Sequence, residues 1–216
     1  ASYQYSPQRD LVQVTDAEGR TQGYAYRGHL LVQEQTRDGG RFCYGYDGVG
    51  PRARCVRAWG VGGFLDRSLE HDPGSGRTIV RDGLGHETTY RYDAAGLVTE
   101  VEAPDGERVG YRYDDHLRLV EVAWPDGSRA TAAYDELGNL VRRSERDGAA
   151  WTMSYDARGH LLQGTDPQGG TWRFHHDERG RLRELQDPAG NVTHLQFERG
   201  SCRVLDATGH GLDIGL

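Results

Sequence analysis

A fixed 21-residue period limits this chain more than any other feature. The blocks YRYDAAGLV, YRYDDHLRLV, AAYDELGNLV, MSYDARGHLL and FHHDERGRLR follow one another at that step between Tyr90 and Arg183. Asp93, Asp114, Asp135, Asp156 and Asp177 form one column, and Tyr92, Tyr113, Tyr134, Tyr155 and His176 the column before it. A glycine column runs through Gly106, Gly127, Gly148, Gly169 and Gly190, back to Gly85 and on to Gly211. Such self-similarity marks a repeat architecture, in which each unit buries its apolar face only against its neighbours.

One repeat reads as two strands and two turns. From Glu107 to Tyr113, Val109, Tyr111 and Tyr113 alternate with Arg108, Gly110 and Arg112, so the two sets lie on opposite faces of a strand. The Asp-Ala-Ala-Gly of residues 93–96 follows, where the Asp accepts from backbone N–H groups two residues on and the Gly takes positive φ. A second strand carries the column Val98, Leu119, Leu140, Leu161 and Leu182. It ends at turn chemistry such as Pro104-Asp105-Gly106, Pro125-Asp126-Gly127 or Asp187-Pro188-Ala189-Gly190. Nothing is left over for a helix. Composition agrees: 36% of residues are hydrophobic, with one Met and four Phe against 31 Gly and twelve Tyr, which suits short strands and many turns.

The predicted fold is therefore all-β, an antiparallel β-hairpin repeat. Roughly ten repeats give about twenty strands, a ribbon of ~95 Å at ~4.8 Å per strand if flat. Sheets of more than about ten strands rarely stay open and flat, so the ribbon is expected to curl. A curl of that circumference is too wide for its side chains to fill. The tyrosine and leucine columns would then line or brace a hollow wall.

The repeat divides the chain into early repeats at 1–47, an irregular repeat with a Trp/Gly-rich insertion at 48–71, regular repeats at 72–198 and a degenerate end at 199–216. Tyr46 follows Tyr26 at 20 residues, one short of the period; Asp72 follows Asp47 at 25, four over. Within that insertion Trp59 is expected to plug a bulge or corner where the ribbon turns. The opening residues lack a signal peptide and start inside the repeat phase, so the chain reads as a piece of something longer.

Several chemistries fall away. All 26 basic residues are arginine, which removes a Walker lysine, a Schiff-base lysine and a lysine general base. A net charge of −7 argues against nucleic acid as principal partner, and no apolar run approaches a membrane span. Cys43, Cys55 and Cys202 fit neither a disulfide framework nor a zinc pattern and read as buried or half-buried thiols.

These columns resemble the Rhs/YD-repeat family, whose unit is YD-x-x-G-x-L followed by a D-G or D-P-x-G turn. The resemblance covers nearly the whole chain and is clearest from His71 to Asp187. The segment CVRAWGVGGFLD, Cys55 to Asp66, is similar to an Arg-, Trp- and Gly-rich stretch of Rhs cores in bacterial polymorphic toxins. The resemblance implies a hollow, cocoon-like β shell that wraps a C-terminal toxin domain for delivery, by type VI secretion or within an insecticidal toxin complex; teneurins carry related repeats. The implied partners are the remainder of the shell, the toxin cargo, and a secretion spike or adaptor protein. Self-cleaving family members carry D-P-x-G-L at the core's end. Here Asp166-Pro167-Gln168-Gly169 precedes Gly170 and Asp187-Pro188-Ala189-Gly190 precedes Asn191, so both read as turns.

Other motifs yield to plainer readings. His86-Glu87-Thr88-Thr89-Tyr90 lacks the second histidine of a zinc protease helix and reads as a strand start. Gly74-Ser75-Gly76 reads as an exposed turn. His175 and His176 point to opposite faces. One Asp per repeat beside a Gly suits a turn cap better than a calcium site, and arginines among Glu and Asp suit a solvated face with weak ion pairs. The expectation is a segment with no catalytic, cofactor-binding or metal-binding residues and no cofactor. The alternative is a surface adhesion or carbohydrate-binding module that uses the tyrosine column.

Overall fold

A computed structural model of the chain describes residues 1–198, 201–206 and 210–215. It is an all-β antiparallel sheet of 21 strands built from hairpin repeats, with no helix among the described residues. The chain forms two compact units, Ala1–Val109 and Gly110–Leu216. The strands of the first are β1 (Ser2–Tyr5), β2 (Leu11–Thr15), β3 (Thr21–Arg27), β4 (Leu30–Gln35), β5 (Arg41–Tyr46), β6 (Cys55–Gly60), β7 (Arg67–Asp72), β8 (Arg77–Asp82), β9 (Glu87–Tyr92) and β10 (Val98–Glu102). β11 (Arg108–Tyr113) starts at the boundary. The second unit continues through β12 (Leu119–Ala123), β13 (Arg129–Tyr134), β14 (Leu140–Ser144), β15 (Ala150–Tyr155), β16 (Leu161–Thr165), β17 (Thr171–His176), β18 (Leu182–Gln186), β19 (Val192–Glu198), β20 (Ser201–Leu205) and β21 (Gly211–Gly215). Within each unit every strand pairs antiparallel with the next in sequence, a meander that no ladder closes into a barrel.

Within each unit successive strands lie side by side with little covered by other elements. Among the described residues only Gly60, Gly164 and Cys202 are buried, so backbone ladders and half-covered side chains replace a core. Alternation is visible in β11, where Arg108 and Arg112 are exposed while Val109, Tyr111 and Tyr113 are half-buried.

Both turn classes share one geometry. In residues 114–118 the first N–H donates to the fifth carbonyl (Asp114 to Arg118, 3.0 Å), and the fourth N–H to the first carbonyl (Leu117 to Asp114, 2.9 Å). This is a type I turn closed by a left-handed residue, the three-residue hairpin loop that suits the twist of the flanking strands. Glycine holds the left-handed place in most turns, for example Gly127 at φ 84° and Gly159 at φ 82°. Two caps serve the loop. Where its first residue is Asp, as at Asp166, the carboxylate accepts from the third and fifth N–H groups, here those of Gln168 and Gly170 at 3.0 and 2.7 Å. Where it is not, an Asp at the third place accepts from the fifth N–H, as Asp105 does from Glu107 and Asp126 from Ser128.

The irregularities in spacing are absorbed by turns. Between β3 and β4 the loop shrinks to Gly28 and His29, both at positive φ, which accounts for the residue missing between Tyr26 and Tyr46. Of the four extra residues after Asp47, three lengthen the turn from Asp47 to Arg54, which Asp47 still caps by accepting from Arg54 N–H at 2.7 Å. The fourth lies between Gly60 and β7.

Trp59 lies within β6 opposite Cys43, half-buried, its ring 3.6 Å from where a β-carbon on Gly45 would stand, next to the bulge between β5 and β6, and the Arg57 guanidinium is 4.9 Å from its ring centroid. The corner is filled by Phe64, whose ring covers Gly60 where a β-carbon would stand and meets Phe42 edge-on at 5.4 Å. Gly211 belongs to no turn; it pairs with Leu205 across β20 and β21. The last hairpin is short, and Asp206 and His210 repeat the capped loop two residues early, the His210 N–H donating to Asp206 at 3.0 Å. The glycine of that loop, Gly209, lies outside the described residues. The segment from His86 to Tyr90 opens a strand as expected, with β9 beginning at Glu87 and His86 closing the turn before it, its N–H and ring nitrogen both bound to Asp82.

Candidate functional site: the tyrosine–aspartate seam

The repeated residues converge where one hairpin meets the next. The ladder between β14 and β15 registers only three pairs, from Ser144–Ala150 to Arg142–Thr152. Beyond it, the Tyr155 hydroxyl donates to the carbonyl of Leu140, 15 residues earlier, at 3.0 Å. Tyr46 does the same to Leu31 at 2.8 Å, Tyr134 to Leu119 at 3.4 Å and Tyr92 to Arg77 at 3.5 Å. Tyr46, Tyr134 and Tyr155 thus extend, through their side chains, ladders that the backbones have left, whereas beside Tyr92 the backbone bond to Gly76 persists.

A bulge sets this geometry. Tyr113 pairs with Leu119 but Arg112 with Glu121, so Val120 is an extra residue on the second strand. The same shift recurs beside Tyr5, Tyr26, Tyr46, Tyr92, Tyr134, Tyr155 and His176. The hairpins β7–β8 and β19–β20 pair without it; where it occurs, such a bulge bends the strand and raises its right-handed twist. Alternation of residue types gave no sign of it.

In the turns that begin at Asp114, Asp135, Asp156 and Asp177 the fifth residue reaches towards the next hairpin. Arg118 donates its N–H and its Nε to Asp114, at 3.0 and 2.7 Å, and its guanidinium lies 4.4 Å from the ring centroid of Tyr134, 16 residues on. Arg181 stands likewise over Phe197 at 4.9 Å, and His160 over His176 at 5.1 Å. These side chains also press on the next turn's glycine: a β-carbon on Gly138 would meet Arg118, on Gly159 Asn139, and on Gly180 the ring of His160. Glycine at these places therefore answers two demands, positive φ and close approach.

The aspartates carry the electrostatics. Asp156 accepts from the Arg158 and His160 N–H groups and from the His160 ring, and its carboxyl is held down to about 2, chiefly by the His160 side chain and then its backbone N–H. Asp135 is lowered first by the Asn139 side chain, and Asp177 by the backbone and then the side chain of Arg181. The opposite face carries exposed ion pairs such as Arg112–Glu121 and Arg81–Glu87, each worth at most ~1 kcal/mol. The three cysteines are free thiols. His175 and His176 diverge as expected, His175 exposed and His176 half-buried. Among the described residues no three His, Cys, Asp or Glu side chains group as a metal site, and no helix is long and apolar enough to cross a membrane.

Hairpins of fixed period, capped by Asp and clamped to one another by Tyr, define a structural wall module. The chain belongs to the Teneurin YD-shell family, whose model matches residues 56–208. Among solved structures it is similar to TcdB2-TccC3, at 11% identity and a TM-score of 0.63 over 95% of this chain and 12% of that one. It is also similar to TcdB2-TccC3 without its hypervariable C-terminal region, at 14% identity and a TM-score of 0.53 over 96% of this chain and 15% of that one. The chain thus spans less than a sixth of either structure, and at these identities the likeness is one of fold. No curated protein matches it.

Proposed function

We propose that this chain is a non-catalytic wall segment of an Rhs-type toxin shell that encapsulates a C-terminal toxin domain for delivery to a competitor or host cell. The observation that carries this reading is the seam. Tyr46, Tyr134 and Tyr155 direct their hydroxyls into holding hairpin to hairpin, and Asp135 and Asp156 direct their carboxylates into closing their own turns, so the repeated residues act as joints and caps and not as a reactive constellation. The recurring bulges favour a ribbon that curves round a hollow. Membership in a shell family supports this, as does the fold shared with TcdB2-TccC3, a protein also solved without a hypervariable C-terminal region.

On this reading the partners are the rest of the shell, the toxin cargo, and a secretion spike or adaptor protein, with no cofactor. The protein is secreted or delivered by a specialised bacterial system such as type VI secretion. Tyr134 suits a sugar-binding platform poorly, because Arg118 already covers its ring.

The test is limited proteolysis of the longer protein that carries this segment. The C-terminal region should resist added protease while attached to the wall and be cleaved when expressed without it; equal cleavage in both would refute containment. Glycan-array binding by the 216-residue chain, lost in Tyr111→Ala, would establish the adhesion reading instead.

A further inference from the structure

One step of the first unit leaves its face hollow where other steps fill it with charge. Arg112 stands across from Glu121 in the ladder, just before the bulge, and pairs with it at 2.9 Å. The same two places between β3 and β4 hold Ala25 and Gln33. Register continues this row from Gln33 to Cys43 and from Cys43 to Trp59, so Ala25, Gln33, Cys43 and Trp59 line up across four strands on one face. Two residues past Cys43, Gly45 adds no side chain of its own, and a β-carbon there would come within 3.6 Å of the Trp59 ring. Small residues beside an indole leave a cleft of about 400 Å³, which Arg27 and Leu30 at the β3–β4 turn and Val49 of the next turn also line.

The polar groups of this cleft are uncommitted. Among the described residues the Gln33 amide and the Cys43 thiol make no hydrogen bond, and Arg27 makes no ion pair. Arg9, Arg52 and Arg54, in the turns on either side of the β3–β4 turn, make none either. The acids of this rim are engaged: Asp10 with His29 at 2.7 Å, and Asp47 with the Arg54 N–H at 2.7 Å. Glu34 is bound to Gln22 and Tyr44, and Asp66 to Arg57. In a chain of net charge −7, four arginines against two aspartates make this rim a place for an anion. The cleft itself, with Trp59, Leu30 and Val49 around one amide and one guanidinium, suits a flat apolar body that carries one acidic group.

We propose that the cleft beside Trp59 binds a small aromatic acid, its ring against the indole, its carboxylate on Arg27 and a hydrogen bond from Gln33. The site lies wholly within the first unit and requires neither cargo nor a closed wall.

The test is titration of the 216-residue chain with 1-naphthoate, and with 1-naphthamide as its neutral isostere, while NMR follows the Trp59 indole N–H, assigned through Trp59→Phe. Naphthoate should shift that signal saturably with a Kd of about 1 mM or lower, and naphthamide should bind at least about tenfold more weakly. Arg27→Gln, a change at an exposed residue, should weaken naphthoate to the level of the amide. Gly45→Leu fills the cleft from a position whose φ is not left-handed and should abolish the shift with either compound. Should Gly45→Leu fail to fold, Arg27→Gln decides. No saturable shift at Trp59, equal binding of acid and amide, or undiminished binding in a folded variant would overturn the proposal.

Discussion

Leu117 and Gly138 occupy the same place in the turns that begin at Asp114 and Asp135, both left-handed, at φ 62° and 88°. A leucine there carries strain of roughly 1–2 kcal/mol that glycine avoids, and at 58% exposure its side chain gains little from burial. Glycine's extra freedom in the unfolded chain offsets about 0.5–1 kcal/mol. Leu117→Gly should therefore raise stability by ~0.5–1 kcal/mol in urea unfolding. A loss of stability would mean that Leu117 makes a contact the turn needs.

Gly127 and Gly180 separate the two demands placed on turn glycines. Both have positive φ, but a β-carbon on Gly127 meets open space while one on Gly180 meets the His160 ring. Gly127→Val should cost about 1–2 kcal/mol from backbone strain. Gly180→Ala, although the smaller change, should cost at least as much, because about 1 kcal/mol of displaced packing adds to its strain. If Gly180→Ala unfolds no more easily than Gly127→Ala, the packing of His160 on that turn is wrong.

The tyrosine clamp is testable by removing one oxygen. Tyr155→Phe leaves the ring and deletes the bond to Leu140, so stability should fall by ~0.5–1.5 kcal/mol. The same change at exposed Tyr3 should fall within ~0.5 kcal/mol of zero. Equal effects at both sites would remove the hydroxyl from the seam.

Acid should weaken the caps with a definite sign. Asp156 sits at about 2 against an ordinary 3.8. Its contribution is therefore complete above the ordinary value and lost as pH falls from there through about 2. Asp135, Asp177 and Asp187 are lowered too and act in the same direction. Stability measured from pH 5 downward should drop most steeply below about pH 4. Asp156→Asn keeps an acceptor but cannot titrate, and should flatten that drop. A chain equally stable at pH 5 and pH 2 would contradict the capping role.

How much the sequence disclosed depends on the kind of order involved. Strands, turn residues and the split into two faces could be read because each follows from residue type at a fixed spacing, as Asp93, Gly96 and Val98 illustrate. The bulge at Val120 was hidden because an extra residue inside a strand leaves a regular period unchanged. The seam was hidden because its members lie 15, 16 and 20 residues apart, and only register brings Tyr155 to Leu140 and His160 to His176 and Gly180. Gly211 misled for the opposite reason: it keeps the spacing while the last hairpin loses two residues, so the count survives where the structure has slipped. The glycine-rich neighbourhood of Trp59 pointed to a bulge or corner, and its ring does pack on Gly45 beside the β5–β6 bulge, but its place within the ladder of β6 was not legible from spacing.

The wall claim meets its sharpest test in the longer protein, by photo-crosslinking from neighbouring positions on opposite faces of β11. A crosslinker at Tyr111 should capture the C-terminal region, and one at Arg112 should capture only solvent or external partners. Capture from Arg112 and none from Tyr111, in a folded protein, would contradict a wall whose tyrosine face encloses cargo.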